Sequence, residues 1–296
     1  MEVLEPEAWR AREAAHHARV DAATEGHLRR RTSGRAHPVE DFLFTYYSFR
    51  PGQLRRWHPG VGVALEGGGE RSEWKHYTYD GHMAYVDGVA FLTARGDTVR
   101  FVRRLLGATD GRAPQLACFG LHEWAMVHRL PQEDVRHSGW PLRLGRAGTD
   151  AVVETQQIRC THFDAYRFFT PTARPLNTVV PTRDSQVEMD QPGCLHATMD
   201  LYKWAHKLTP AVPSELVMDC FELAREVREL DMRAAPYDLT ELGYEPVRIE
   251  TASGRAEYAA AQRDFAERAE PLRRRLIALC DTLLSGPGRP GGAGRR

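Results

Sequence analysis

Between Gln191 and Leu239 the chain carries its densest set of side chains able to hold a metal or move a proton. The pattern predicts a helix over roughly Cys194 to Leu208, with His196, Asp200, Lys203 and Lys207 on one stripe and Leu195, Met199, Tyr202 and His206 on another. Residues three and four apart are neighbours on a helix, so His196 and Asp200 could reach one ion or bond each other. His206, on the more apolar stripe, reads as a satisfied semi-buried ring. A second helix is expected from Ser214 to Met232, between Pro213 and Pro236. At roughly 100° per residue, Leu216, Val217, Cys220, Leu223, Ala224, Val227 and Leu230 share a face, and Asp231 falls among them. A carboxylate there is costly unless paired or ligated. Either the helix ends at Asp231 or that residue has a specific partner. Asp219, Glu222, Glu226 and Glu229 read as a solvated flank offset by Arg225, Arg228 and Arg233.

Three other stretches offer polar groups. LHEWAMVH, residues 121 to 128, is not a zinc-protease helix: that chemistry needs two histidines one turn apart, and Met126 stands where the second belongs. Glu123 and His128 remain candidates for a site assembled from several helices. In the region from 151 to the helix pair, Gln156, Arg159, His162, Asp164, Arg174 and Asn177 could line a cleft beside His196, or serve as turn caps and strand-face polarity. The segment 37 to 60 is the most aromatic, with Phe42, Phe44, Tyr46, Tyr47, Phe49 and Trp57. It reads either as a core-crossing element or as a pocket wall, with Tyr46, Tyr47, Arg50 and His58 supplying polar tips.

The elements that must position these groups are mostly helical. A surface helix is expected over Pro6 to about Arg31, with His16 and His17 exposed. Residues 61 to 86 read as strands around an Asp80–Gly81 turn, and the glycines at 67 to 69 as a loop. Helices follow at Thr98 to Leu106 and Leu116 to Leu130. Residues 131 to 150 read as loop with Trp140 packed, 151 to 169 as one strand or two, then a long prolyl loop precedes the helix pair. A charged helix from Arg255 to about Leu284 closes the fold, its Tyr258, Phe265, Leu272, Leu276, Leu279 and Cys280 packing on the rest. The expectation is a mostly helical α+β chain. Residues 1 to 285 would form a single globular domain with a small β element between about 61 and 169. Residues 286 to 296 would form a flexible basic tail.

Composition bounds the function. A chain of 296 residues, 42% apolar and 27% charged, can bury a substantial core. Its formal net charge is zero, so no global field draws it to nucleic acid or an anionic membrane. Double-stranded DNA would have to be held by local arginine patches at 29 to 31 with 35, at 55 and 56, or at 103 and 104. The five cysteines are far apart and without zinc or redox spacing, as expected of free thiols in a reducing cytoplasm. No stretch has the roughly 20 apolar residues of a membrane span.

The segments HPVEDFLFTYYSFRPGQLRRWHPG, CTHFDAYRFFTPTARPLN, QPGCLHATMDLYKWAHKL and LVMDCFELAREVRELDMRAAPYDL lie between residues 37 and 239. Together they resemble a bacterial family commonly labelled 3-methyladenine DNA glycosylase. The resemblance implies base-excision repair of alkylation damage, in which a damaged purine is flipped from the stack and held between aromatic faces. A carboxylate then stabilises the sugar's developing positive charge. On that reading Tyr46, Tyr47 and Trp57 are the stacking candidates, Asp200 and Asp231, with His196, the catalytic ones, and Arg55 and Arg56 grip phosphate. The competing reading is a metal-dependent helical oxygenase or hydrolase using Glu123, His128, His196 and Asp200, with Asp219 or Glu222. Its His-x-x-x-Asp pair is similar to part of the ligand set of heme-oxygenase-like diiron proteins, with Lys203 where a further histidine is expected. A third reading is a small-molecule-binding protein built on the aromatic pocket. No cofactor and no oligomeric state follow from the sequence.

Overall fold

The computed structural model describes residues 1–286. Helix takes 57% of the chain and strand 6%, so the mostly helical α+β expectation holds. The expected tail lies outside the described residues from 287 onward.

In chain order, a short strand β1 (Glu2–Leu4) leads into α1 (Pro6–Thr32), followed by two single turns, α2 (Phe42–Tyr46) and α3 (Pro51–Arg55). Strands β2 (Val63–Glu66), β3 (Tyr77–Tyr79) and β4 (Met83–Val86) follow. The sheet order is β1-β2-β4-β3, with β1 parallel to β2 and the other pairings antiparallel. The turn between β3 and β4 is the expected one: Asp80 Oδ1 accepts from the amides of His82 and Met83, and Gly81 takes the positive φ.

Next come α4 (Gly88–Asp110), α5 (Leu121–Ala125), α6 (Gly145–Thr155), α7 (Phe163–Tyr166) and α8 (Gln186–Met189). The chain then forms α9 (Leu195–Lys207), α10 (Ser214–Arg233) and α11 (Ala252–Ser285). Helices α9 and α10 pack against each other, and α11 packs on both and most extensively on α4. Asp87 caps α4 by accepting from the amides of Val89 and Ala90, which starts that helix ten residues before the expected Thr98. One hydrophobic cluster runs from Val20 on α1 to Leu283 on α11, with Met199, Tyr202, Phe221 and Leu276 in its interior.

Four expectations need correction. The helix expected over Leu116 to Leu130 is reduced to α5, because Phe119 and Gly120 take left-handed φ before it and Arg129 does so after it. Residues 151 to 169 contain no strand. Their first part continues α6, whose Thr149, Val152 and Val153 are buried at helical spacing against α5, and this burial outweighs the β preference of the valines. Residues 145 to 150, expected as loop, begin that helix. His16 is buried rather than exposed, with Nε2 2.9 Å from the Leu54 carbonyl oxygen.

Gly193 fixes where α9 begins. Its amide donates to Gln191 Oε1 at 2.7 Å, an oxygen that also accepts from the Gln115 amide at 2.8 Å, while Gln262 of α11 donates to the Gly193 carbonyl. A Cβ at this position would lie 2.6 Å from the Gln115 carbonyl oxygen, so only glycine fits this approach.

Candidate functional site

Helix α9 is buried along almost its whole length, and its polar stripe faces inward. Two clusters meet on it.

The first is centred on Lys203. Its ammonium donates to Asp200 Oδ2 at 2.8 Å and to Asp164 Oδ2 at 3.0 Å. Tyr47 donates to Asp200 Oδ1 at 2.8 Å, and Arg183 donates to Asp164 Oδ1 at 3.0 Å. His162 Nε2 stands 3.7 Å from Asp200 Oδ2, while His162 Nδ1 is 3.1 Å from Asp190 Oδ1. Gln186 donates to the other oxygen of Asp190 at 3.1 Å. Burial alone would depress the Lys203 ammonium, but Asp200 and Asp164 outweigh it and hold its pKa above the ordinary lysine value. Asp164 shows the converse. Burial pushes its pKa up, Lys203 with His162 and Arg183 pulls it down, and the net direction is downward.

The second cluster joins α5, α9 and α10. His122 Nε2 is 2.8 Å from Asp231 Oδ1, and His122 Nδ1 is 3.4 Å from Cys118 Sγ. Arg228 donates to Asp231 Oδ2 at 3.0 Å and to Glu123 Oε1 at 3.1 Å. Burial opposes charge on His122, yet the Asp231 carboxylate more than compensates and raises its pKa well above the usual value. His196 behaves oppositely: burial and the neighbouring His122 push it well below, leaving a neutral ring. Among the described residues, neither His196 ring nitrogen has a hydrogen-bond partner. The rings link the clusters, because His196 meets His122 edge-on at 4.5 Å and stacks on His162 at 5.3 Å.

The structure therefore brings His196, Asp200 and Asp231 into one connected interior network, with Tyr47 on its edge. Tyr46 lies beside it, stacked on Phe42 at 5.1 Å and meeting Tyr47 edge-on at 5.0 Å. Trp57 is a correction: it is fully buried, donates to Glu215 and packs with Trp9 and Leu65, so it walls no cavity. Arg55 is tied to Asp21 on the surface, and Arg30 to Glu40 and Asp41, so neither forms a free basic patch. The metal set Glu123, His128, His196 and Asp200 does not assemble. Glu123 is held by Arg228, and His128 contacts Thr172 and Glu154 instead. The donor sets that do converge within 4.8 Å are His122, His196 and Asp231, and His162, Asp164 and Asp200. Asp219 and Glu222 pair with Arg19 at the surface. Of the residues expected beside His196, His162 and Asp164 belong to the network and Arg159 lines the cavity described below. Asn177 staples a loop by bonding both the amide and the carbonyl of Cys160.

Sequence reasoning missed Arg228, read as surface charge. A signal existed: at roughly 100° per residue it falls at the edge of the apolar face, next to Val217. It also missed Asp190 and Gln186, which no local pattern marks.

A cleft of about 330 Å³ is lined by Arg56, Lys75, Arg95 and Lys207, with Phe49, His58, Trp74, His76 and His206, and Phe49 stands between it and the Lys203 cluster. No carboxylate among the described residues lines it. Burial lowers His206 to about 4 and His58 to about 3, so these two rings are neutral there at pH 7. Phe49 connects cleft and cluster. It stacks on His206 at 3.7 Å on one side and on Tyr47 at 6.1 Å on the other. Arg56 lies 5.1 Å over the Trp74 ring.

The arrangement is a buried cation held between two carboxylates, near a cleft lined by four cationic side chains. Comparison with family models, curated proteins and solved structures gave no match. No helix among the described residues is long and apolar enough to cross a membrane.

Proposed function

We propose that the protein is an N-glycosyl hydrolase of base-excision repair that removes alkylated purines of the 3-methyladenine type from DNA. The observation that carries this reading is the adjacency of the cleft and the Lys203 cluster. Arg56, Lys75, Arg95 and Lys207 offer four cations to phosphate oxygens. Tyr46 and Tyr47, at the edge of the cluster, offer the aromatic faces on which a cationic alkylated base can stack. Asp200 supplies the carboxylate that stabilises positive charge developing on the sugar, with Tyr47 and Lys203 fixing its orientation through two hydrogen bonds. Local cations substitute for the net charge the chain lacks. The resemblance of its segments to the glycosylase family agrees with this assignment.

The test is release of free base from methylated duplex DNA, run with a chelator present. The expected result is release by the wild-type protein and a loss of about a hundredfold or more in Asp200→Asn. Absence of release at high enzyme concentration overturns the proposal, and a ligand-induced thermal shift without turnover would make the cleft a binding site only.

A further inference from the structure

We propose that His122, His196 and Asp231 form a binding site for one divalent first-row metal ion, of the zinc or ferrous class, separate from the glycosyl chemistry. Three side chains from three helices each aim a donor atom at a common point, all within 4.8 Å of one another. At metal–donor distances of about 2.0–2.2 Å, donors on one ion fall within roughly twice that separation of each other, so small ring rotations close the set.

Four further observations fit an ion and not merely a buried polar pair. His196 has no hydrogen-bond partner among the described residues and lines the water-sized cavity, so a ring lone pair is open to an ion. His122 presents Nε2 to the common point and its other nitrogen to Cys118 Sγ, the outer contact that orients a metal-bound imidazole. Asp231 gives Oδ1 to the common point while Arg228 holds Oδ2, which fixes a monodentate carboxylate. Lastly, His122 and His196 line a cavity of about 10 Å³ with Cys118, Cys160 and Cys194, room for about one water. The two imidazoles reach this space, and Asp231 Oδ1 stands 2.8 Å behind His122 Nε2, so the open coordination position falls on the cavity side.

Asp231 and Glu123 bring two negative charges, balanced by Arg228 and the His122 imidazolium, so a divalent ion enters in place of the His122 proton. The neighbouring triad His162, Asp164 and Asp200 does not qualify, because the Lys203 ammonium already stands between its carboxylates.

The experiment is titration of chelator-dialysed protein with Co2+ and, separately, Zn2+. The expected outcome is one equivalent bound, a visible Co2+ absorption band, and shifts of the His122 and His196 ring resonances without change at His128. In His196→Gln, which loses no hydrogen bond of the fold, affinity falls at least about tenfold. Asp164→Asn, in the other cluster, leaves the titration unchanged. Absence of binding at millimolar metal, or binding that His196→Gln does not weaken, overturns the proposal. Ring shifts in the wild-type protein decide the matter should the variant misfold. Base release in chelator reads the glycosylase assignment alone, so the two can fail separately.

Discussion

The Lys203 cluster and the His196 cluster sit on the same face of α9 and are built from the same residue types, yet one is closed and the other open. Around Lys203 each carboxylate oxygen of Asp164 and Asp200 accepts from a named donor, and His162 is held by Asp190. Around His196, Arg228 satisfies two carboxylates while one imidazole faces a water-sized space. The difference is a lysine where a second imidazole beside His162 would complete a metal set. An internal ammonium neutralises paired carboxylates as a metal would, without offering a free coordination position.

The sharpest way to break this contrast is Arg228→Met. It leaves Asp231 and Glu123 in the core without their cation, and urea unfolding should show a loss of about 3–5 kcal/mol. A loss below about 1 kcal/mol would mean the second cluster is not a buried ion network at all. Lys203→His exchanges the closing cation for an imidazole. Cobalt titration should then find a second bound equivalent that wild-type protein lacks; a single equivalent would show that ligand identity alone does not separate the two clusters.

A smaller effect is expected in the cleft. Lys75→Ala and Lys207→Ala should each lower the dependence of DNA affinity on salt by about one unit of slope. Stability should stay within about 0.5 kcal/mol of wild type, since both side chains are exposed. Unchanged salt slopes would detach the cleft from nucleic acid.

The smallest effect concerns pH. His58, His137, His196 and His206 all have folded pKa values below the usual 6.5, chiefly through burial. The unfolded chain therefore takes up protons first as pH falls, and stability is lost from about pH 6.5 downward. His122 and His162 are raised, so their contribution is fully present below 6.5 and fades as pH climbs through their folded values. Melting temperature should peak near neutrality, and His206→Phe should flatten the acid limb slightly. A melting temperature that keeps rising toward pH 5 would contradict the neutral state of these rings.

Much of the scaffold was legible because long helices advertise themselves. Apolar spacing and Pro213 located α10 and α11 to within a few residues, and the Asp-Gly turn located β3 and β4. The misplaced elements lie where a local cue is outvoted by burial or backbone geometry: the valines of α6, and the left-handed Phe119 and Gly120 before α5. The site was half legible. Asp231 on an apolar face announced a partner, but its identity, His122 and Arg228, depends on contacts 109 and 3 residues away. The meeting of Cys118, Cys160 and Cys194 at one cavity is likewise invisible in their spacing.

Gly193 carries a consequence for both clusters. Everything polar on α9 is downstream of one backbone contact too tight for a methyl group. A side chain there would slide the helix as a rigid rod and displace His196, Asp200 and Lys203 in concert. Retuning one centre through the main chain would detune the other, leaving side-chain replacement as the independent adjustment each of them has.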